Sequence, residues 1–203
     1  MIAIVDYGMG NLGSIHNMLR KVKADAVITS DRATIEKADK LILPGVGAFD
    51  NAMRNLNEKG LAPILNEKVL AQKTPILGIC LGMQVITRRS EEGSIQGLGW
   101  IDADTVRFSF QDKAMKVPHM GWNTVEVRRA DPLFEGMYEE PRFYFVHSFY
   151  VKCDREENVL TTTGYGADFC SSLVKGNIRG VQYHPEKSHK FGMKLLQNFA
   201  ELV

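Results

Sequence analysis

The most informative segment of this 203-residue chain is Pro75-Ile-Leu-Gly-Ile-Cys-Leu-Gly-Met-Gln84. Its first half is apolar, which predicts a strand buried on both faces, and its second half has the spacing of a helix. Cys80 stands at the turn between them, with Gly78 and Gly82 two positions away on either side. This is the nucleophile-elbow pattern with cysteine in place of serine. The segment therefore predicts a reactive thiol at the carboxyl end of a buried strand.

The turn at Cys80 suits nucleophilic chemistry. A helix dipole favours the thiolate form of a cysteine at the helix N-terminus, and the backbone N–H of Leu81 is free to donate to an oxyanion. The competing interpretation is a buried structural cysteine, because free cysteine is among the most buried residue types. The two flanking glycines and the strand-to-helix context favour the nucleophile.

Strands and helices alternate on the N-terminal side of this segment. Continuous apolar runs predict strands, and apolar residues at helical spacing predict helices. The predicted strands cover residues 1–5, 26–29 and 41–43, and the predicted helices cover residues 14–23, 49–58, 62–72 and 81–88. This alternation indicates an α/β fold with parallel strands.

The pattern changes after Glu91, where short β-like runs separated by turn residues dominate. These runs cover residues 124–127, 142–151, 159–163, 169–174 and 178–182, and a final amphipathic helix covers residues 188–202. We therefore expect a single α/β domain over residues 1–203, flavodoxin-like, with a central mixed, largely parallel sheet flanked by helices. The charged residues at 88–92 are expected to form a solvated helix end.

Charge balance and cysteine content narrow the function class. The chain has 25 Lys+Arg against 24 Asp+Glu, a net charge of +1, which gives no reason to expect a nucleic-acid partner. Cys80, Cys153 and Cys170 form no CxxC pair, which argues against a zinc ribbon or a redox dithiol. The longest apolar stretch, residues 75–83, is shorter than the ~20 residues of a bilayer span. We expect a cytoplasmic protein with no membrane partner.

A thiol nucleophile needs a base, and His184 is the best candidate. It lies in Val181-Gln-Tyr-His-Pro-Glu186, directly after a predicted strand, at the sheet edge where α/β active sites form. Residues i and i+2 of an extended chain point the same way, so Glu186 is able to bond one imidazole nitrogen and leave the other facing the thiol. The alternative is an ordinary surface turn. Together with Cys80, the motif predicts a nucleophile, a base and an orienting carboxylate.

Two glycine-containing loops remain. Pro44-Gly-Val-Gly47 ends a predicted strand and is a natural source of a second oxyanion donor, although it also fits a simple strand-terminating turn. Gly8-Met-Gly-Asn-Leu-Gly13 matches the dinucleotide fingerprint GxGxxG, with Asp31 near the end of the next strand. Two extra residues separate the first strand from Gly8, which weakens that match. We interpret this loop as a tight turn, with a phosphate or partner contact as alternatives.

Together these motifs resemble the triad (class I) glutamine amidotransferases, which hydrolyse glutamine through a γ-glutamyl thioester and pass ammonia to a synthase partner. The narrower resemblance is to the glutaminase subunits of imidazole glycerol phosphate synthase. The segments that carry it are Asp6-Tyr-Gly-Met-Gly-Asn-Leu-Gly-Ser14, Pro44-Gly-Val-Gly-Ala-Phe49, Val117-Pro-His-Met-Gly-Trp-Asn123, Phe143-Tyr-Phe-Val-His-Ser148 and Gly180-Val-Gln-Tyr-His-Pro-Glu-Lys-Ser188. They span nearly the whole chain.

The resemblance implies a role for each matched residue. Cys80 would be the nucleophile, His184 the general base and acid, and Glu186 the orienting carboxylate. The remaining implied residues are Val46, Gly47 and Leu81 in the oxyanion hole, Gln84, His147, Ser148 and Phe149 in glutamine binding, and Asn11, Trp122, Tyr144 and Lys187 at a partner interface. No cofactor or metal is implied.

The resemblance also implies a partner. This would be a cyclase subunit of the (β/α)₈-barrel type, forming a heterodimer that makes imidazole glycerol phosphate and AICAR in histidine biosynthesis. A subunit of this kind is expected to be slow alone and stimulated by the liganded partner, with the Val46 peptide as a plausible switch. Three alternatives stay open: another triad amidotransferase, of the anthranilate or pyridoxal-phosphate type; a stand-alone thiol hydrolase or peptidase; and a nucleotide-binding module that uses the Gly8 loop.

Overall fold

The computed structural model describes residues 1–112 and 114–203 and shows an α/β fold built on a large mixed sheet. The strands are β1 (Ile2–Val5), β2 (Ala26–Thr29), β3 (Lys40–Gly45), β4 (Ile76–Cys80), β5 (Ala103–Arg107), β6 (His119–Thr124), β7 (Glu126–Val127), β8 (Arg142–His147), β9 (Phe149–Cys153), β10 (Val159–Tyr165), β11 (Ala167–Lys175) and β12 (Ile178–Val181). The α-helices are α1 (Leu12–Lys21), α2 (Arg32–Lys37), α3 (Phe49–Glu58), α4 (Leu61–Asn66), α5 (Leu81–Val85) and α6 (His189–Glu201).

The sheet has a parallel part and an antiparallel part. Its order is β2-β1-β3-β4-β12-β11-β10-β7, and the strands from β2 to β12 in that order are parallel. β11, β10 and β7 continue it antiparallel, β9 and β5 branch from β11, and β6 pairs with β8 in a separate two-stranded sheet. The predicted α/β class with a mixed sheet is confirmed.

The parallel strands β1, β3 and β4 are buried on both faces, as the continuous apolar runs predict, whereas β2 at the edge of the sheet is partly exposed. Along β1, Ala3 and Val5 belong to one apolar cluster, with residues of α2, α3 and α4. Ile2 and Ile4 belong to a second cluster, with residues of α1 and α6. The helices therefore cover the sheet in two layers. Among the described residues, no helix combines the length and apolarity that a bilayer crossing needs.

Several predicted boundaries are wrong, each for a local reason. The predicted strand 142–151 is two strands, because β8 pairs with β6 and β9 pairs with β5, and Ser148 lies at the bend between them. α5 ends at Val85 rather than at residue 88, and the Thr87 hydroxyl donates to the Gln84 carbonyl at 2.7 Å beyond that end. The predicted helix 62–72 is α4 followed by a π-helical turn, Glu67–Ala71.

The strand β4 brings the elbow beside the end of β12. Val181 lies opposite Ile79, and on the other side Gly45 of β3 lies opposite Cys80. Because parallel strands end at the same edge of a sheet, the segments that follow β3, β4 and β12 meet there. This register places the Pro44 loop, Cys80 and the His184 segment side by side.

Gly82 lets α5 pack directly on β3. A Cβ atom added at Gly82 would lie 1.7 Å from the Leu43 carbonyl oxygen, which is backbone and has no room to move. We expect Gly82→Ala to lower the free energy of unfolding by about 3 kcal/mol, because overpacked cores force the backbone apart. Urea titration followed by circular dichroism measures this change.

Gly13→Ala is the matched control for that substitution. Gly13 lies in α1, and an added Cβ there meets no atom within 4 Å. Alanine is about 1 kcal/mol better than glycine inside a helix, so this variant should be as stable as the wild type or slightly more stable. Equal losses in the two variants would contradict the packing argument.

Candidate active site

Cys80 has the strained backbone of a nucleophile elbow. It is the last residue of β4 and precedes α5, with φ 53° and ψ −109°, a region that non-glycine residues rarely occupy. Gly78 and Gly82 allow the close crossing, since a Cβ atom at Gly78 would lie 2.7 Å from the Gly82 carbonyl oxygen. The two glycines thus leave room for the helix to cross the strand.

His184 and Glu186 form a buried pair immediately after β12. The His184 Nδ1 and Glu186 Oε1 atoms are 2.8 Å apart, and each side chain is only 2% exposed. The His184 N–H donates to the Tyr144 carbonyl at 2.9 Å, and its carbonyl accepts the Ser188 hydroxyl at 2.6 Å. These bonds fix the imidazole so that Nε2 is the nitrogen left for the thiol.

The charges around His184 favour its protonated form. Burial by itself lowers the pKa of His184, but the adjacent Cys80 sulfur and the Glu186 carboxylate outweigh burial and raise the pKa to about 10. The imidazole therefore carries a proton at neutral pH while it faces the sulfur. Such a group holds a proton that a leaving group needs.

One cavity of about 250 Å³ opens onto Cys80 and His184. Nine of its lining residues are site residues predicted from the sequence: Val46, Gly47, Cys80, Leu81, Gln84, His147, Ser148, Phe149 and His184. The cavity is also lined by Glu92, Pro118 and Val146. The structure thus brings the predicted nucleophile, base, oxyanion loop and glutamine-binding residues to one place.

The donors predicted for an oxyanion lie on two elements. Leu81 begins α5 directly after Cys80, and Val46 and Gly47 follow β3. Gly47 has φ +120°, and a Cβ atom there would lie 2.8 Å from the Met9 methyl carbon. Gly10 also lies close to this loop, because its added Cβ would lie 3.2 Å from the Gly45 nitrogen. The glycine-rich loop after β1 therefore packs against the predicted oxyanion loop.

Gln84 is held in place by its own amide group. Its Nε2 donates to the Phe149 carbonyl and to Gln182 Oε1, both at 3.1 Å. Gln182 Nε2 in turn lies 3.7 Å from the Cys80 sulfur. The amide nitrogen of Gln84 thus braces the wall of the cavity, and its amide oxygen is the atom left for a ligand.

Glu92 is a cavity residue that the sequence reasoning missed. We expected the charged residues at 88–92 to form a solvated helix end, but Glu92 Oε2 accepts the Phe49 N–H at 2.8 Å, at the start of α3, and lines the cavity. The positive end of a helix dipole favours a carboxylate there. Arg88 instead pairs with Asp104 and Asp154.

The residues predicted for a partner interface lie beside the cavity or near it. Trp122 is 46% exposed, pairs in register with Tyr144, and stacks on His189 with ring centroids 5.5 Å apart. The Lys187 amine lies 5.6 Å from the centre of the Tyr144 ring. We call Trp122, Tyr144, Lys187 and His189 the Trp122 cluster. Asn11 is exposed at the start of α1, which contacts the turn Pro185–Lys187.

Metal ligands are not gathered in the part of the chain that the structure describes. Within residues 1–112 and 114–203, no three His, Cys, Asp or Glu side chains stand close enough to share a metal ion. Cys80 and His184 both line the cavity, and Glu186 is bonded to His184.

Comparison with known proteins agrees with this geometry. The sequence model of the family "Glutamine amidotransferase class-I" matches residues 3–202. The imidazole glycerol phosphate synthase subunit HisH 2 of Methanococcus maripaludis is 58% identical over 199 residues, covering 98% of each chain. The subunit HisH 2 of Pseudomonas aeruginosa is 50% identical over 203 residues, covering 100% of each chain.

Solved structures show the same fold at low sequence identity. The structure of PurLQS from Thermotoga maritima contains a chain with a TM-score of 0.68 and 19% identity, covering 98% of this chain and 96% of that chain. A match to the family over nearly every residue, with relatives at 50% identity or more, settles membership. The chain belongs to the class-I glutamine amidotransferases and, among them, to the HisH subunits of imidazole glycerol phosphate synthase.

Proposed function

We propose that this chain hydrolyses L-glutamine to glutamate and ammonia as the glutaminase subunit of imidazole glycerol phosphate synthase, in histidine biosynthesis. The observation that carries the proposal is the strained Cys80 facing one cavity with the buried His184–Glu186 pair. The relatives named above support the subunit type, since they are called HisH subunits of that synthase. The family match over residues 3–202 supports a single amidotransferase domain.

The geometry supports a two-step reaction. The Cys80 thiolate attacks the carboxamide carbon of glutamine, and the resulting oxyanion accepts the N–H of Leu81 and a second N–H from the Val46–Gly47 peptides. His184 Nε2 gives its proton to the leaving nitrogen, so ammonia departs and a γ-glutamyl thioester remains. A water molecule then attacks the thioester carbon and gives a proton to His184, which releases glutamate and restores the Cys80 thiolate beside the protonated imidazole. This thiol chemistry needs no cofactor.

The rest of the cavity suits the amino-acid end of glutamine. The segment His147–Ser148–Phe149 forms one wall, and Gln84 stands beside it. Glu92 supplies a carboxylate in the same cavity, which complements the positively charged α-amino group. We propose that these five residues hold the substrate while Cys80 attacks it.

The ammonia requires a protected route to its acceptor, because free ammonia becomes protonated and is lost in water. We propose a heterodimer with a cyclase subunit of the (β/α)₈-barrel type, which uses the ammonia to make imidazole glycerol phosphate and AICAR. The exposed side chains of Val46, Met120 and Trp122 support docking beside the cavity, because apolar groups at such a position gain from being covered. Lys187 and Asn11 add polar contacts on the same side of the chain. Three free thiols support a cytoplasmic location.

We expect the isolated chain to hydrolyse glutamine slowly and the cyclase subunit with its phosphoribosyl ligand to raise the rate by about 10²- to 10³-fold. This is the range for gaining one oxyanion donor, here the Val46 N–H turned toward the substrate. The measurement is glutamate release by the purified chain, alone, with the cyclase subunit, and with the cyclase subunit plus its ligand. Full activity without the partner would instead indicate a free-standing hydrolase.

A further inference from the structure

Two buried histidines outside the catalytic pair are bonded to each other. His119 Nδ1 and His147 Nε2 are 3.0 Å apart, and the two residues are only 3% and 5% exposed. His147 Nδ1 lies 2.8 Å from the Phe149 carbonyl oxygen, and His119 Nε2 lies 3.2 Å from Asn123 Nδ2. Four groups thus form one unbroken chain from Asn123 on β6 to Phe149 in the cavity wall.

Both ends of this chain fix the direction of its hydrogen bonds. The Phe149 carbonyl only accepts, so His147 Nδ1 carries the proton and His147 Nε2 is an acceptor. The Asn123 amide is oriented by two further bonds: Nδ2 donates to the Gly164 carbonyl at 3.0 Å, and Oδ1 accepts the Thr124 N–H at 2.9 Å. His119 Nε2 therefore accepts from Asn123, and His119 Nδ1 donates to His147.

The surroundings keep both histidines neutral. Burial among aromatic rings lowers the pKa of His119 to about 4. Burial also lowers the pKa of His147, to about 3. The bond to the Phe149 carbonyl raises that pKa, whereas the neighbouring His119 and His184 lower it further. A proton added to either ring would place two N–H groups opposite each other. The row of hydrogen bonds therefore forms only when both imidazole rings are neutral.

We infer that Asn123, His119 and His147 are positioning residues that hold the Ser148–Phe149 segment in the shape that binds glutamine. The Phe149 carbonyl accepts two hydrogen bonds, one from His147 Nδ1 at 2.8 Å and one from Gln84 Nε2 at 3.1 Å. His147, Ser148 and Phe149 all line the cavity, whereas His119 and Asn123 lie behind that wall. This inference rests on the proposed glutaminase function and adds His119 and Asn123, which do not line the cavity.

The row of hydrogen bonds also begins beside the Trp122 cluster. Asn123 follows Trp122 along β6, and Trp122 pairs with Tyr144 of β8, whose carbonyl accepts the His184 N–H. The hydrogen bonds from Asn123 therefore run from the face proposed for the partner to the wall proposed for the substrate. A change in β6 would reach the glutamine site without passing through Cys80.

Two substitutions of His119 test the inference. His119→Leu removes the donor to His147, and we expect the KM for glutamine to rise at least tenfold while kcat changes less than threefold. His119→Asn places an amide N–H where Nδ1 stands, so its KM should return to within about threefold of the wild type. Alkylation of Cys80 by iodoacetamide should proceed at the wild-type rate in both variants, because the catalytic pair is untouched.

Phe145→Leu is the packing control. Phe145 stacks on His119 with ring centroids 4.7 Å apart and is fully buried, but its side chain has no part in the hydrogen-bond chain. Phe145→Leu should lower the Tm of the protein without raising the KM for glutamine. Equal KM values for His119→Leu and the wild type, with normal glutamate release, would overturn the inference and leave the proposed function standing. A wild-type chain that releases no glutamate even with the liganded cyclase subunit would overturn both.

Discussion

Cys80→Ala should release glutamate from glutamine about 10⁴-fold more slowly than the wild type, or slower still, with and without the cyclase subunit. No other group in the cavity replaces a thiolate as the nucleophile that forms the thioester, and losing one member of a catalytic triad costs on this scale. The side chain is small and 8% exposed, so its truncation leaves the β4–α5 turn folded. The measurement is glutamate formation under saturating glutamine, together with an unfolding curve that shows the variant is native.

Cys153→Ala is the matched control for that variant. Its sulfur lies 3.9 Å from that of Cys170, on strands β9 and β11, and neither residue lines the Cys80 cavity. It should keep the wild-type rate. An electrophilic glutamine analogue should label one cysteine in the wild type and in Cys153→Ala, and none in Cys80→Ala. Labelling of Cys80→Ala, or residual activity within tenfold of the wild type, would assign the chemistry to another group.

The sequence carried enough information to place these groups at one edge of the sheet. The apolar run before Cys80 predicted a buried strand, the short run before His184 predicted another strand, and β4 and β12 are parallel neighbours with Ile79 opposite Val181. Local rules were sufficient because the elbow glycines and the His-Pro-Glu spacing act over a few residues. The roles of Cys80, His184 and Glu186 remain predictions until the variants are measured.

Other parts of the site depend on contacts that no local pattern records. Glu92 enters the cavity because its carboxylate accepts the N–H of Phe49, 43 residues earlier in the chain. His119 meets His147 only because β6 and β8 pair in that register. In both cases the partner is chosen by tertiary packing, and a short charged run or a lone histidine is equally compatible with a solvated surface.

β5 is a strand that the sequence pattern does not reveal. Residues Ala103–Arg107 alternate between buried and more exposed positions, which is the period of a strand with one covered face. Val106 is nevertheless less buried than Thr105, and in β6 Met120 and Trp122 are exposed while His119 is buried, so residue polarity does not reveal either strand.

Glu186→Gln should slow glutamate release by up to about 10⁴-fold, the cost of replacing the orienting carboxylate of a catalytic triad by its amide. The amide still accepts the Nδ1 proton of His184, so the imidazole keeps its orientation and loses only the adjacent negative charge. That charge is one of the causes that raise the pKa of His184 to about 10, against burial. Removing it lowers the pKa, and the variant will need a higher pH for rapid alkylation of Cys80 by iodoacetamide. Glu139 is exposed, so Glu139→Gln is the control and should change neither the rate of glutamate release nor the rate of Cys80 alkylation.

The same substitution changes how stability depends on pH, and the sign follows from linkage. The pKa of His184 is raised in the folded chain from its ordinary value of 6.5 to about 10, so the folded state holds a proton that the unfolded state loses in this range. The stabilisation is complete below pH 6.5 and disappears as the pH rises toward 10, and the free energy of unfolding of the wild type should fall across that window. In Glu186→Gln the free energy of unfolding should fall less steeply with pH, because the pKa of His184 is raised less in the folded state. Urea unfolding at several pH values measures both slopes, and parallel slopes would mean that Glu186 does not hold the proton on His184.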